Sequence, residues 1–194
     1  IYAQDQFWPE PLLQITPYYE RGASLDVLAA SGDVTATTAA IFRVPEDPSK
    51  PLQLHTHQGQ ALGAAKQGRS YVVTTGTGSG KSLCLFIPII DSILRAKATD
   101  NTKRTRAIIV YPMNALANSQ MEELEKFLKH LSPAQPISFA RYTGQEGSEE
   151  RLSVAASPPD ILLTNFMMLG YLMTRQDATD QQVRTSAAAQ YIVA

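Results

Sequence analysis

Apolar residues recur along this chain in two rhythms, and the change from one to the other falls near Pro51. Residues 1–50 hold short apolar stretches broken by Pro9, Pro11, Pro17, Pro45 and Pro48. They read as an arm, with Phe7, Trp8, Tyr18 and Tyr19 as packing anchors or, alternatively, as base-stacking aromatics. Ser24 is placed to cap a short helix through Leu25, Val27 and Leu28 that ends at Gly32, and Thr35 to Phe42 suits a second.

From Pro51 onward, short β-branched runs alternate with longer segments of helical period, which is the pattern of a parallel α/β sheet. Leu54, His57, Gln58, Ala61, Leu62 and Ala65 fall on a helix closed by Gly68, and Tyr71–Val73 reads as a strand. The helix that carries Leu83, Leu85, Phe86, Ile87, Ile89, Ile90, Ile93 and Leu94 is apolar nearly all round, so it buries on more than one side. Pro88 inside it removes the bond to the Cys84 carbonyl, at about 3 kcal/mol if nothing compensates. Arg95–Arg106 reads as a solvated loop. Ala107–Tyr111 is a strand, followed by a helix with the stripe Leu116, Met121, Leu124, Phe127, Leu128 and Leu131. Strands over Ile137–Arg141 and Ile161–Leu163, a helix over Phe166–Thr174, a polar loop over Gln176–Ala189 and a last strand from Tyr191 complete the pattern.

Composition narrows the function classes. The 194 residues, 44% of them hydrophobic, can bury one sizeable core, and the net charge of -1 supplies no global basic field for nucleic acid. Cys84 is the single cysteine, which excludes an internal disulfide, and no signal-peptide pattern or long uncharged apolar stretch is present, so a cytoplasmic location is expected. His55, His57 and His130 lack companions at metal-ligand spacing, so no structural zinc is expected. The chain begins at Ile1, as an excised piece of a longer protein would.

The chemistry concentrates in Thr75–Ser82, read TGTGSGKS, between the Tyr71–Val73 run and the apolar helix. Gly76, Gly78 and Gly80 free the backbone N–H groups to converge on phosphate, with Thr75, Thr77 and Ser79 between them. Lys81 carries charge to the β/γ-phosphates as the catalytic cation, Ser82 offers a hydroxyl to Mg²⁺, and the helix N-terminus adds its dipole. ATP and Mg²⁺ are the cofactors this implies. Thr75 stands where the general phosphate-loop pattern has glycine. Gln58, just upstream, can bond both the donor and the acceptor of an adenine edge, or it is a solvated helix residue. Each later strand ends in a polar cluster, and in an open α/β sheet such ends share the ligand-binding edge.

These motifs, from about Leu54 onward, resemble the first RecA-like domain of a superfamily-2 DEAD/DEAH-box helicase. LHTHQGQAL is similar to the upstream glutamine motif and TTGTGSGKS to motif I, which in this superfamily commonly lacks the first glycine. YPMNALANSQ resembles motif Ia, YTG motif Ib and PPDILLTNFMMLGYLMTR motif Ic. Their wording is similar to that of bacterial Hrq- and Mrf-type repair helicases and DISARM-type phage-defence helicases, although Met113 and Asn114 stand where many members have Thr and Arg. The resemblance implies a P-loop NTPase fold, a RecA-like parallel sheet flanked by helices, with residues 1–50 as an arm and 51–194 as the ATP-binding domain. It also implies that Pro112, Asn114, Ala115, Thr143, Gly144, Thr164 and Asn165 grip one nucleic-acid strand, DNA rather than RNA.

In the family, the strand beginning at Tyr191 runs into motif II, whose Asp and Glu hold Mg²⁺. The sequence ends before such a pair, and the second RecA-like domain with its arginine finger is absent, so this piece is expected not to turn over ATP. The expected partners are nucleic acid, the second domain and repair or phage-defence proteins. A P-loop ATPase that remodels proteins, or a non-catalytic nucleotide-binding module, are the alternatives.

Overall fold

Strands that must bury both faces carry continuous apolar runs, and the runs Ala107–Val110 and Ile161–Leu163 set the centre of the molecule. The computed structural model describes residues 18–129 and 137–193. Expectations for Phe7, Trp8, Pro9, Pro11, Pro17, His130 and Leu131 lie outside the described residues. In chain order the elements are β1 (Arg21–Ser24), α1 (Leu25–Ala30), α2 (Ala36–Ile41), β2 (Arg43–Val44), β3 (Asp47–Pro51), β4 (Gln53–His55) and α3 (Thr56–Lys66). They continue with α4 (Lys81–Thr99), β5 (Thr105–Tyr111), α5 (Asn114–Leu128), β6 (Phe139–Tyr142), α6 (Ser148–Ala156), β7 (Ile161–Asn165), α7 (Phe166–Thr174), α8 (Ala178–Ser186) and β8 (Ala187–Val193).

The main sheet has the order β6-β7-β5-β8, with every neighbouring pair parallel. Successive side chains alternate between its faces, as the two-residue period of a strand requires. Ala107, Ile109, Ile161 and Leu163 point into a cluster with Phe86, Ile89 and Ile90 of α4 and Leu124 and Leu128 of α5. Leu162, with Ile108 packed alongside, points into a second cluster with Ala155 of α6, Met168 and Leu172 of α7 and Val183 of α8. Helices therefore cover both faces. The register pairs Tyr111 with Asn165 and Tyr142 with Thr164, so β5, β6 and β7 end together on one edge.

Ser24 and Thr35 cap α1 and α2 as expected, accepting from the Val27 and Thr38 amides, and Gly32 takes the positive φ that ends α1. Residues 18–55 also form two antiparallel strand pairs, and Leu25, Ile41 and Phe42 bury in the cluster that holds α4. Three expectations are corrected. Tyr71–Val73 has no strand assignment, and a cavity lies between it and Ala189–Val193 of β8. Gln176–Ala189 is not a loop: Asp177 caps α8 by accepting from the Thr179 and Asp180 amides, and Val183 and Asp180, one turn apart, bury against β6 and α6. Arg95–Arg106 is not a solvated loop either. Arg95 and Lys97 belong to α4 and pair with Asp91 and Asp160, while Arg106 is buried on β5 against Asp160.

Pro88 leaves the Cys84 carbonyl without its helical partner, and the Tyr71 hydroxyl donates to that oxygen at 2.7 Å. The segment leading into the phosphate loop is thus tied to α4 by a bond the proline makes available.

Candidate nucleotide site and nucleic-acid interface

The phosphate loop joins the extended segment ending at Val73 to the first turn of α4. Gly78 (φ 78°) and Gly80 (φ 70°, ψ 41°) take left-handed backbone conformations, and Gly80 immediately precedes Lys81 at the start of α4. A Cβ on Gly80 would lie 2.6 Å from Gln58 Nε2, so glycine is required there by both backbone and space. Inside the loop the Thr75 and Ser79 hydroxyls bond at 2.6 Å, and Lys81 Nζ donates to the Thr75 and Gly76 carbonyls at 2.9 Å each. The ammonium is held over the mouth of the loop.

Gln58 is 3% exposed, which removes the solvated-helix alternative. Its Oε1 accepts from the His55 amide at 2.8 Å, and its Nε2 donates to the Gly80 carbonyl at 3.0 Å. In this arrangement Gln58 clamps the start of α3 to the loop rather than presenting a free edge. Sequence reasoning missed two of its neighbours. His57 Nε2 lies 3.0 Å from the Ser79 carbonyl, and Tyr19 packs on His55 and His57 with its hydroxyl close against Gly76. The available signal was the run His55-Thr56-His57-Gln58, four consecutive residues with polar side chains at the head of the helix that leads toward the loop.

Lys81 and Ser82 open onto a cavity of about 880 Å³ that Tyr111, Gln120 and Tyr191 also line. The loop is therefore beside the carboxyl ends of β5 and β8. These residues fit a nucleotide triphosphate: the glycines leave the loop open, Lys81 brings charge and Ser82 brings a hydroxyl. The Ser82 hydroxyl would be a ligand for Mg²⁺, and no cluster of three or more His, Cys, Asp or Glu occurs among the described residues.

At the ends of β5, β6 and β7 the expected strand-gripping residues divide by burial. Pro112, Ala115 and Gly144 are exposed, while Thr143 (5%) and Thr164 (0%) are buried. Thr164 donates its hydroxyl to the Tyr142 carbonyl at 2.6 Å and holds β7 to β6. Asn165 caps α7 through the Met168 amide, and its Nδ2 donates to Asn114 Oδ1 and to the Thr143 carbonyl. Asn114 and Asn165 thereby join the starts of α5 and α7. The Thr143 and Gly144 amides both donate to Glu146, which sequence reading did not single out.

The family model described as DEAD/DEAH box helicase matches residues 55–193. The chain belongs to that family. Druantia protein DruE of Escherichia coli (strain UMEA 4076-1) is 31% identical, over 70% of this chain and 8% of its own length. The ATP-dependent helicase hrq1 of Schizosaccharomyces pombe is 33% identical, over 59% of this chain and 10% of its own. The crystal structure of the DUF1998 helicase MrfA bound to DNA superimposes with a TM-score of 0.69 at 25% identity, covering 92% of this chain and 22% of that one. Mycobacterium smegmatis helicase Lhr, bound to ssDNA and AMP-PNP, shares the fold at a TM-score of 0.52 and 22% identity. This member of the DEAD/DEAH box helicases thus spans a small part of the length of its relatives. The RecA-like parallel sheet expected from the motifs is the one observed.

Proposed function

We propose that this chain is the ATP-binding part of a helicase or translocase that moves on nucleic acid, DNA rather than RNA. The observation that carries the reading is placement. A phosphate loop opens beside β5 and β8, on the same sheet edge where β5, β6 and β7 end in polar turns. Membership of the helicase family and the DNA in the MrfA structure support it.

In this reading the backbone of Thr75–Gly80 cradles the ATP phosphates, Lys81 leaves its two carbonyl partners to neutralise them, and Ser82 supplies one ligand to Mg²⁺. Gln58 reaches adenine only by giving up its bond to Gly80. Pro112, Asn114, Ala115 and Gly144 line the strand path. Thr164 and Asn165 shape it from beneath, and Thr143, covered by the Glu146 side chain, belongs to the turn beside Gly144.

Turnover of ATP in this reading calls for metal-holding acids and a second RecA-like domain, and the phosphate loop supplies the nucleotide-binding half of that chemistry. Its setting is the cytoplasm, with repair or phage-defence proteins as partners. No described helix is long and apolar enough to cross a membrane. The test is ATP turnover by the parent protein with and without added DNA. Stimulation that weakens as salt rises supports the reading, and turnover indifferent to DNA contradicts it.

A further inference from the structure

The turn after β6 holds an anion of the protein's own. Glu146 places its carboxylate against two successive backbone N–H groups, Thr143 at 2.7 Å and Gly144 at 2.9 Å, and accepts the Thr143 hydroxyl at 2.8 Å. Arg141 Nε stands 3.5 Å from the same carboxylate. Two adjacent amides, a hydroxyl and a guanidinium converging on one point form a nest of the kind that binds phosphate. The Glu146 side chain fills it and is only 4% exposed.

Arg141 and Thr143 are two residues apart at the end of a strand and so share a face, which is why both reach the nest. The far end of Arg141 is bonded to Asn118 of α5, so the guanidinium stays in place when Glu146 leaves. Glu146 sits between Gly144, at φ 87°, and Gly147, where an added Cβ would meet nothing within 4 Å. The loop that carries the carboxylate is therefore built from residues that tolerate a swing outward.

We infer that Glu146 is an internal stand-in for a backbone phosphate: it occupies the β6 nest in the free protein, and a nucleic-acid strand seats a phosphate on Thr143, Gly144 and Arg141 by displacing it. This rests on the strand-binding reading of the sheet edge and adds to it a residue that sets how tightly the edge grips. The displaced carboxylate moves into water, and the entering phosphate gains the amides and the guanidinium. Two costs limit affinity in the native chain: breaking the Glu146 bonds, and holding its charge near the entering phosphate.

The test is equilibrium binding of a short labelled oligothymidine to the chain over a series of salt concentrations, wild type against Glu146→Gln. The amide keeps the shape of the side chain but removes its charge and turns an NH₂ group toward the backbone donors. The expected result is about tenfold tighter binding, or 1.4 kcal/mol, with the salt slope unchanged, because the same phosphate seats in the nest in both proteins. Equal affinity in both proteins, each still weakened by salt, overturns the inference and leaves the strand-binding reading standing. Absence of salt-dependent binding in both overturns the strand-binding reading and this inference with it. A readout on the wild type needs no substitution. The Thr143 and Gly144 amide resonances and the Glu146 side-chain carboxyl resonance should shift together on saturation with oligothymidine, and an unmoved set contradicts displacement.

Discussion

At the residue scale, several side chains supply what the backbone beside them lacks. Pro88 removes a helical donor, and Tyr71 replaces it with its hydroxyl at the Cys84 carbonyl. Burial pushes the Tyr71 phenol up to about 12, so it remains a donor across the physiological range. Tyr71→Phe leaves that carbonyl unpaired and should cost about 1–3 kcal/mol, read as a lower melting temperature. Glu146 gives a pH signature. Burial raises its pKa, but the bonds from the Thr143 amide, the Thr143 hydroxyl and the Gly144 amide outweigh that and hold it below the ordinary 4.5. A carboxyl lowered on folding contributes stability above its unfolded pKa and loses it as pH falls through the folded one. The gap in melting temperature between wild type and Glu146→Gln should therefore narrow below about pH 4.5, and a gap constant with pH contradicts the assignment. The glycine pattern of Thr75–Ser82 was legible in the sequence because it sits in contiguous residues, whereas the bond by which Gln58 holds the loop was not, since it joins positions 22 residues apart. Glu146 was not, since an acidic residue in a polar turn looks like solvated charge until the fold aims two amides at it.

At the element scale, one buried carboxylate organises the end of the sheet opposite the candidate site. Asp160, just ahead of β7, accepts from Arg106 of β5 at 2.8 Å, Lys97 of α4 at 2.9 Å and the Ser138 amide before β6 at 2.9 Å. It thereby fixes the starts of three strands, and their register brings the far ends level at the candidate site. Asp160→Ala strands Arg106, itself 4% exposed, and should cost about 3–5 kcal/mol. Urea unfolding should show this as a lower midpoint with an unchanged slope. Asp180 anchors α8 in a comparable way, accepting from the Tyr142 hydroxyl at 2.5 Å and from Arg151 at 2.8 Å. Caps at Ser24 and Thr35 were readable because a cap is local. The Asp160 and Asp180 networks join residues dozens of positions apart, so composition presented Arg106 as surface charge and α8 as a loop. Tyr71–Val73 failed as a strand for a related reason: β propensity is local, but a ladder needs a partner edge at bonding distance, and a cavity separates this segment from β8.

At the scale of the whole molecule, both faces of the sheet are sealed by helices, and its chemistry is confined to one edge. The candidate phosphate loop and the proposed strand path meet there through β5, whose last residue, Tyr111, lines the cavity beside Lys81 and pairs in register with Asn165. The motif order made this layout legible in advance, because the carboxyl ends of parallel strands share an edge by construction. The central claim is that Thr75–Ser82 is a working phosphate site with Lys81 as its cation. Thermal unfolding of the chain with increasing ATP tests this most directly, in parallel with Lys81→Ala. A ligand that binds only the folded state stabilises it by RT ln(1 + [L]/Kd), about 2.7 kcal/mol at a hundredfold excess over Kd. The melting temperature of the wild type should climb with ATP while that of Lys81→Ala stays flat. No rise in the wild type, or an equal rise in both proteins, would contradict the account.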